Sequence, residues 1–345
     1  TKYDFITFVS GGHPTVLPER TINELGSDFV VLGEGYQAIS EIIDYAKGNI
    51  KKNKISSVAY IENNKYFKNE INELIKDINH LPTINWHKVD TNKYRAHNWH
   101  CFGDSINDRS PYAIIWTNQG CPYPCNFCSI NNIFGKRRYR LRDMKDVVAE
   151  IDILYNDFNI RNLKILDELF VFKNPRLDEF CDLLEERNYD LNMWCFARTD
   201  TVTPEILKRL KKIGVNWVAY GFESFDGAIL EATRKKSKAN VLDTIKWTKD
   251  ADINICADVI AGLWQDNEKT INQTKDFMIE NEFEWVNIYP AFAYPGTPLY
   301  DEYLKKSIIL EPDNWEIYGL YSTKCNPCPT EHLSSSQVLK MRDKV

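Results

Sequence analysis

Long apolar runs are missing from this chain: none reaches the ~18 residues that a membrane span requires. A positive surplus is missing too. Forty-three Lys and Arg stand against 49 Asp and Glu, a net charge of −6, which argues against a broad nucleic-acid footprint. Glycine and proline are few, at 15 and 14 of 345 residues, which excludes collagen-like and low-complexity chains. A hydrophobic content of 43% excludes disorder. No secretory leader is visible, since the chain opens Thr1-Lys2-Tyr3-Asp4-Phe5 and the next apolar run is short. With no initiator Met, an N-terminal piece is expected upstream of Thr1. What the chain does have is cysteine, nine residues in all. An odd number so widely spread does not suit a secreted disulfide framework and points to metal-binding, catalytic or buried thiols in a cytoplasmic protein.

The length allows about two domains. Residues 1–48 read as alternating strands and helices: Tyr3–Val9, a Gly11-Gly12 turn, a helix from Pro18 to Leu25, a strand at Phe29–Leu32, then Gly33-Glu34-Gly35 opening a helix towards Ala46. Two strands cannot make a doubly wound domain, so this segment reads as the second half of one. Residues 49–110, rich in Lys and Asn, read as a connector with loops at Leu81-Pro82 and Asp104–Ser110. From Tyr112 the βα alternation becomes regular. Expected strands are Ala113–Trp116, Leu163–Leu166, Met193–Phe196, Trp217–Tyr220, Ile253–Ile260 and Val286–Tyr289. Expected helices are Met144–Phe158, Leu177–Arg187, Pro204–Lys212, Val241–Lys249 and Thr270–Glu280. This predicts an α/β domain over 111–300 with a curved parallel sheet, chemistry at its carboxyl strand ends, and a C-terminal extension over 301–345.

Directly after the first of these strands comes Gly120-Cys121-Pro122-Tyr123-Pro124-Cys125-Asn126-Phe127-Cys128. Three thiolates within eight residues suit one soft metal centre, zinc or an iron–sulfur cluster. No fourth Cys or His follows before Lys136, so one metal position stays open for a substrate. The later strands end in Asp167-Glu168-Leu169-Phe170, Cys195-Phe196-Ala197-Arg198, Gly221-Phe222-Glu223-Ser224 and Ile260-Ala261-Gly262-Leu263, with Tyr294-Pro295-Gly296-Thr297-Pro298-Leu299 after the sixth. On local chemistry alone the acids at 167 and 168 suit a helix N-terminus equally well, and Arg198 a salt bridge.

This set resembles the radical S-adenosylmethionine superfamily over roughly residues 110–300. The resemblance implies a partial (β/α)6 TIM-like barrel, preceded here by a partial Rossmann-like α/β segment. It implies a [4Fe–4S] cluster on Cys121, Cys125 and Cys128, whose open iron takes S-adenosylmethionine and, on one-electron reduction, releases a 5′-deoxyadenosyl radical. It further implies Phe127 near the adenine and Asp167 and Glu168 near the methionyl ammonium. Related sequences carry Asp-Asp-x-Phe there, so Glu168 is a departure. Arg198 would fork onto the methionyl carboxylate, Glu223 and Ser224 would meet the ribose or ammonium, and Ile260, Gly262 and Leu263 would pass close to the adenine.

Gly11-Gly12-His13-Pro14-Thr15 and Asp28–Gly35 resemble the second half of a cobalamin-binding domain, which implies that Gly11 and Gly12 contact cobalamin. The Asp-x-His-x-x-Gly signature of such domains is absent from this chain and is expected upstream, if it exists. Gly33-x-Gly35-x-x-Ala38 also matches a dinucleotide fingerprint, but the acid expected ~20 residues on is missing. Cys325, Cys328 and His332 have metal-like spacing, though two ordinary thiols are the plainer reading. Cys101, Cys181, Cys195 and Cys256 read as packing residues. His97–His100 reads as a loop or a substrate mouth. Lys136–Arg140 reads as a basic loop, or as contact for an anionic substrate or a reductant such as flavodoxin or ferredoxin. The resemblance implies cobalamin-dependent methylation of a small metabolite or natural-product intermediate. The alternatives are a cobalamin-independent radical cyclisation or rearrangement, and a non-catalytic iron–sulfur protein.

Overall fold

The computed structural model describes residues 5–101, 106–135, 137–172, 174–235 and 240–345. Tyr3 and Asp4 of the first expected strand, Asp104 of the expected loop and Lys136 of the basic run lie outside the described residues. The chain divides into two compact units. The first comprises Thr1–Lys76, Gly120–Arg138 and Ala293–Ile309, and the second Asp77–Gln119, Tyr139–Phe292 and Leu310–Val345. Among the described residues no helix is long and apolar enough to cross a membrane.

The first unit holds a four-stranded sheet whose neighbours follow chain order: β1 (Phe8–Val9), β2 (Phe29–Val31), β3 (Val58–Glu62) and β4 (Lys65–Lys68). The pair β1 and β2 is parallel, as the βα reading requires, but β3 and β4 run antiparallel. All three residues of β2 are buried, packed against Ile22, Ala38, Ile42 and Val58. The reading of 49–110 as a connector is therefore corrected over 58–68, where a hairpin extends the sheet and carries the first unit on to Lys76. It closes on Asn63-Asn64, with φ of 50° and 60° at the two turn residues, the left-handed pair that a two-residue hairpin needs. Lysines at both ends of β4 suit an exposed edge strand, and they obscured the apolar Tyr66-Phe67 between them.

In the second unit, β5 (Tyr112–Ile115), β8 (Asn162–Ile165), β9 (Asn192–Ala197), β10 (Val215–Glu223), β11 (Asn254–Ala261) and β12 (Trp285–Pro290) lie side by side in chain order. All five pairings are parallel. A small antiparallel pair, β6 (Asn118–Gln119) and β7 (Arg140–Leu141), flanks the start of this array. The connecting helices Met144–Phe158, Pro175–Arg187, Pro204–Lys212, Val241–Asp250 and Glu268–Glu280 begin at side-chain caps: Asp143, Asn174, Thr203, Asn240 and Asn267. Pro175 and Pro204 sit at the first helical position, where a missing N–H costs nothing.

Period-two alternation gives each strand two faces. Leu163 and Ile165, Met193 and Cys195, Val218 and Tyr220 join the helices in one continuous core. The other face carries Trp194, Trp217, Ala219 and Cys256, covered by Trp99. The Trp99 ring lies 5.4 Å from Trp194 and 4.8 Å from Trp217. At the amino ends of the strands Asn216 donates to Asn192 (3.0 Å), and Asn192 donates to Asn162 (2.9 Å) and to the His100 carbonyl (2.8 Å). His97–His100 is thus a plug at the amino ends, and burial pushes the His100 imidazole down to about 3.

Candidate functional site

The cysteine run belongs to the first unit. Gly120 has φ 86°, and a Cβ there would stand 2.4 Å from the Arg138 carbonyl oxygen, so only glycine lets the two ends of the loop close. Cys121, Cys125 and Cys128 are partly exposed, and Phe127 is half-buried. The Cys128 N–H donates to the Cys125 carbonyl at 3.4 Å, so the last two thiols bracket a single turn. Leu299 N–H donates to the Asn126 carbonyl (3.1 Å), and Asn132 donates to the Pro295 carbonyl (2.9 Å). The Pro295-Gly296-Thr297 turn therefore supports the loop. Thr297 then caps the helix Pro298–Lys305. Among the described residues no three His, Cys, Asp or Glu converge as one metal ion would need. In a four-iron cluster each thiolate binds its own iron, so the thiols stand further apart.

The remaining strand-end residues belong to the second unit. Asp167 is fully buried, and its carboxylate accepts from Thr117 N–H (2.6 Å), Asn118 N–H (3.2 Å), the Asn118 amide (2.5 Å) and the Thr117 hydroxyl. Burial pushes its pKa up to about 6, against the pull of these donors. Asp167 fixes the residues that lead into the cysteine run, and all of its oxygens are engaged in doing so. Glu168 beside it is exposed, yet enough protein surrounds the carboxyl to raise its pKa by desolvation. Arg198 is buried and forks onto Asp200, Nε to Oδ1 at 2.8 Å and Nη2 to Oδ2 at 2.9 Å. Glu223 has φ 61°, a left-handed backbone at a shift in the β10–β11 register, and its carboxylate meets the Lys235 ammonium at 2.5 Å. A strained non-glycine residue at a strand end is a common mark of a working site. Ser224 accepts from Asp226 N–H at 3.2 Å.

Gly262 and Leu263 both donate their N–H to Asp266 Oδ2, at 2.9 and 3.0 Å. The close approach at Gly262 is to the C-terminal helix Ser335–Lys344: a Cβ would stand 2.5 Å from Val338 Cγ1. Ile260 packs with Ile229 and Leu263. Unforeseen in the sequence were Lys164, Asp258 and Asn287, polar residues on the same alternating face as Trp194. The period-two pattern around Trp194 and Cys256 was the signal available for them.

Within the first unit a cavity of about 440 Å³ is lined by Thr15, Gly33, Glu34, Gly35, Asn72 and Arg138, among others. Gly33 and Gly35 have φ of 71° and 76°, and Gly35 caps the helix Tyr36–Ala46. Gly33 N–H donates to Thr15 Oγ1 at 3.0 Å, and Ile75 N–H to Glu34 Oε2 at 3.1 Å. Gly11 and Gly12 are not among the lining residues. Gly11 instead precedes the short helix Gly12–Val16 that presents Thr15.

The radical SAM superfamily profile matches residues 117–278. An uncharacterized methyltransferase of Pyrococcus horikoshii is 26% identical over 336 residues, which cover 96% of this chain and 70% of that protein. The methyltransferase TsrM from Kitasatospora setae, solved with cobalamin and a [4Fe–4S] cluster, superimposes with a TM-score of 0.68 at 16% identity over 87% of this chain and 57% of its own. The cobalamin-dependent radical enzyme OxsB, solved with aqua-cobalamin and S-adenosylmethionine, gives 0.68 at 16% identity over 98% of this chain and 53% of its own. At such identity the likeness to both structures is one of fold, and the chain spans little more than half of each. The profile begins at Thr117, on the approach to the cysteine run, and takes in a little under half of the chain: residues 117–278 match a radical SAM domain, and the chain is similar to enzymes of that superfamily.

Proposed function

We propose that the chain is a radical SAM methyltransferase acting on a small molecule, with a [4Fe–4S] cluster on Cys121, Cys125 and Cys128 and a corrinoid held in part by the first unit. The observation that carries this reading is the presence, in one compact unit, of the three-cysteine loop and a glycine-lined cavity at a helix start. The donor set fits a cluster: three thiols stand on one tight loop, and no further Cys or His occurs in the sequence from Ser129 to Lys136. When bound, the cluster supplies one-electron cleavage of S-adenosylmethionine, and a corrinoid supplies a methyl carrier.

The chain's own part is binding and orientation. Gly120 closes the loop, and Asp167 fixes Thr117 and Asn118 just before it. Arg198 and Glu223 offer a guanidinium and a carboxylate to the methionyl group, each already steadied by an opposite charge. Phe127, Glu168, Ser224, Ile260, Gly262 and Leu263 complete the contacts that the family resemblance assigns. In the first-unit cavity the helix Tyr36–Ala46 presents its N-terminus with no acid in its first turn, and Arg138 lines the wall together with the carboxylates of Glu34 and Glu73. A cavity of this size takes a drug-sized group, so of a corrinoid it would hold a part. No histidine is among its lining residues, so it offers no imidazole to cobalt. A reductant of the flavodoxin or ferredoxin kind would deliver the electron.

The test is anaerobic reconstitution with iron and sulfide, then reduction in the presence of S-adenosylmethionine. Wild type should form 5′-deoxyadenosine and Cys125→Ala should not. No product from wild type refutes the radical reading. A corrinoid absorption spectrum retained through purification supports methyl transfer. Its absence refutes that step in favour of a cobalamin-independent cyclisation or rearrangement.

A further inference from the structure

Around Asp258 in the second unit stand three further charged side chains: Lys164, Glu223 and Lys235. Two of them satisfy each other, since Lys235 donates to Glu223 at 2.5 Å and to the Gly221 carbonyl at 2.6 Å. Lys164 and Asp258 do not. Lys164, on β8, is half-buried with its ammonium 3.9 Å from the centre of the Trp194 ring and 5.5 Å from that of Phe196. Among the described residues it makes no hydrogen bond and no ion pair. Asp258, on β11, accepts one hydrogen bond, from the Asn287 amide to Oδ1 at 2.8 Å, and its second oxygen accepts none among the described residues.

An ammonium carries three donors, and facing it with aromatic rings satisfies its charge but none of its N–H groups. The second Asp258 oxygen is not buried from solvent and is open to a donor on a bound molecule. A purely structural position on this face would be filled more cheaply by an apolar side chain, as Trp194, Ala219 and Cys256 show on the neighbouring strands. Register places Lys164 level with Trp194 at the closed, tryptophan-filled end. Asp258 is level with Gly221 and Asn287, nearer the carboxyl ends of the strands. The face thus offers a cation deep within it and an anion further out, with aromatic walls around the cation.

We propose that Lys164 and Asp258 form a substrate subsite for a small amphoteric molecule, Lys164 taking an anionic oxygen group and Asp258 an ammonium or other N–H donor. The subsite rests on the reading above that this face is the substrate side of a radical SAM enzyme. Trp194 and Phe196 would border the anionic end, and the Asn287 amide would hold Asp258 in place.

Binding to the full chain, purified anaerobically, tests this by titration calorimetry. The probes are the twenty common L-amino acids, each also as its methyl ester and its N-acetyl form, and S-adenosylmethionine alone. At least one free amino acid should bind wild type, with esterification and acetylation each weakening it by about tenfold or more. Lys164→Gln should erase the difference between acid and ester, and Lys164→Arg should keep it. Asp258→Asn should erase the difference between amine and acetamide. Urea midpoints identify any variant that has not folded, and the Arg and Asn variants then carry the test. The proposal is overturned if no amino acid binds wild type, if the variants bind as wild type does, or if only S-adenosylmethionine depends on Lys164. Binding needs no turnover. Failure to form 5′-deoxyadenosine with Lys164-dependent binding intact would therefore refute the proposed function and leave the subsite standing.

Discussion

Replacing Asp167 by Asn separates two roles for that carboxylate. In the structure Oδ1 accepts from two backbone N–H groups, Thr117 and Asn118, which cannot turn around. Oδ2 accepts from the Thr117 hydroxyl, which can, and from the Asn118 amide. The new NH2 group must therefore take the Oδ2 position, where the hydroxyl rotates to accept from it. The Asn118 amide cannot flip in turn without losing its bonds to the Leu169 carbonyl and the Tyr139 hydroxyl. One buried donor is left facing another, and the two remaining bonds lose their charge assistance. A buried unsatisfied donor costs about 1–3 kcal/mol, while the lost charge assistance is offset by removing the buried charge whose desolvation raises the pKa to about 6, so Asp167→Asn should lose about 1–3 kcal/mol. Asp167→Ala strands both backbone donors and should lose more. Urea unfolding at neutral pH reads the loss as a shift in midpoint at unchanged slope. A midpoint within about 0.5 kcal/mol of wild type, together with weakened binding of S-adenosylmethionine, would refute the clamp and restore Asp167 as a direct contact to the methionyl group.

Trp99→Ala should cost about 3–5 kcal/mol by emptying the tryptophan plug, measured as the same midpoint shift; a surface-sized effect would show that the plug is not packed as described. Gly262→Ala should destabilise by about 1–3 kcal/mol, because the new Cβ meets Val338 and φ is 94°. Adding Val338→Ala should recover the steric part but not the backbone strain, and a double-mutant cycle that shows no coupling would count against the contact. Lys164 offers a pH signature. Burial lowers its pKa to about 8 from 10.5, with Asp258 and Cys256 opposing the shift. Between those values the unfolded chain holds a proton that the folded one has released, so stability should rise with pH across that window. Lys164→Met should flatten the rise, and an identical slope in the two proteins would contradict the assignment.

Much of this molecule is written in local pattern. The buried strands of the second unit show as short runs such as Leu163–Ile165 and Met193–Phe196, and their helices are announced by Asp143, Asn174-Pro175 and Thr203-Pro204. The three-cysteine run is legible as a motif because its spacing is local, within eight residues. Less legible was the hairpin at 58–68, whose apolar residues sit between lysines, although Asn63-Asn64 marked its turn. What no local pattern contains is the partner of a charged side chain. Asp167 and Asp258 are both acids at or near strand ends. One is spent on Thr117 and Asn118, fifty residues earlier in the chain, and the other keeps an idle oxygen beside Asn287. Lys164 looks like a surface lysine in a strand until the register of β8 against β9 turns it towards Trp194. Alternation along a strand is a property of neighbouring residues. The face that becomes the inside, and the charges that meet there, depend on which distant strands pair, and that is settled by packing across the whole sheet.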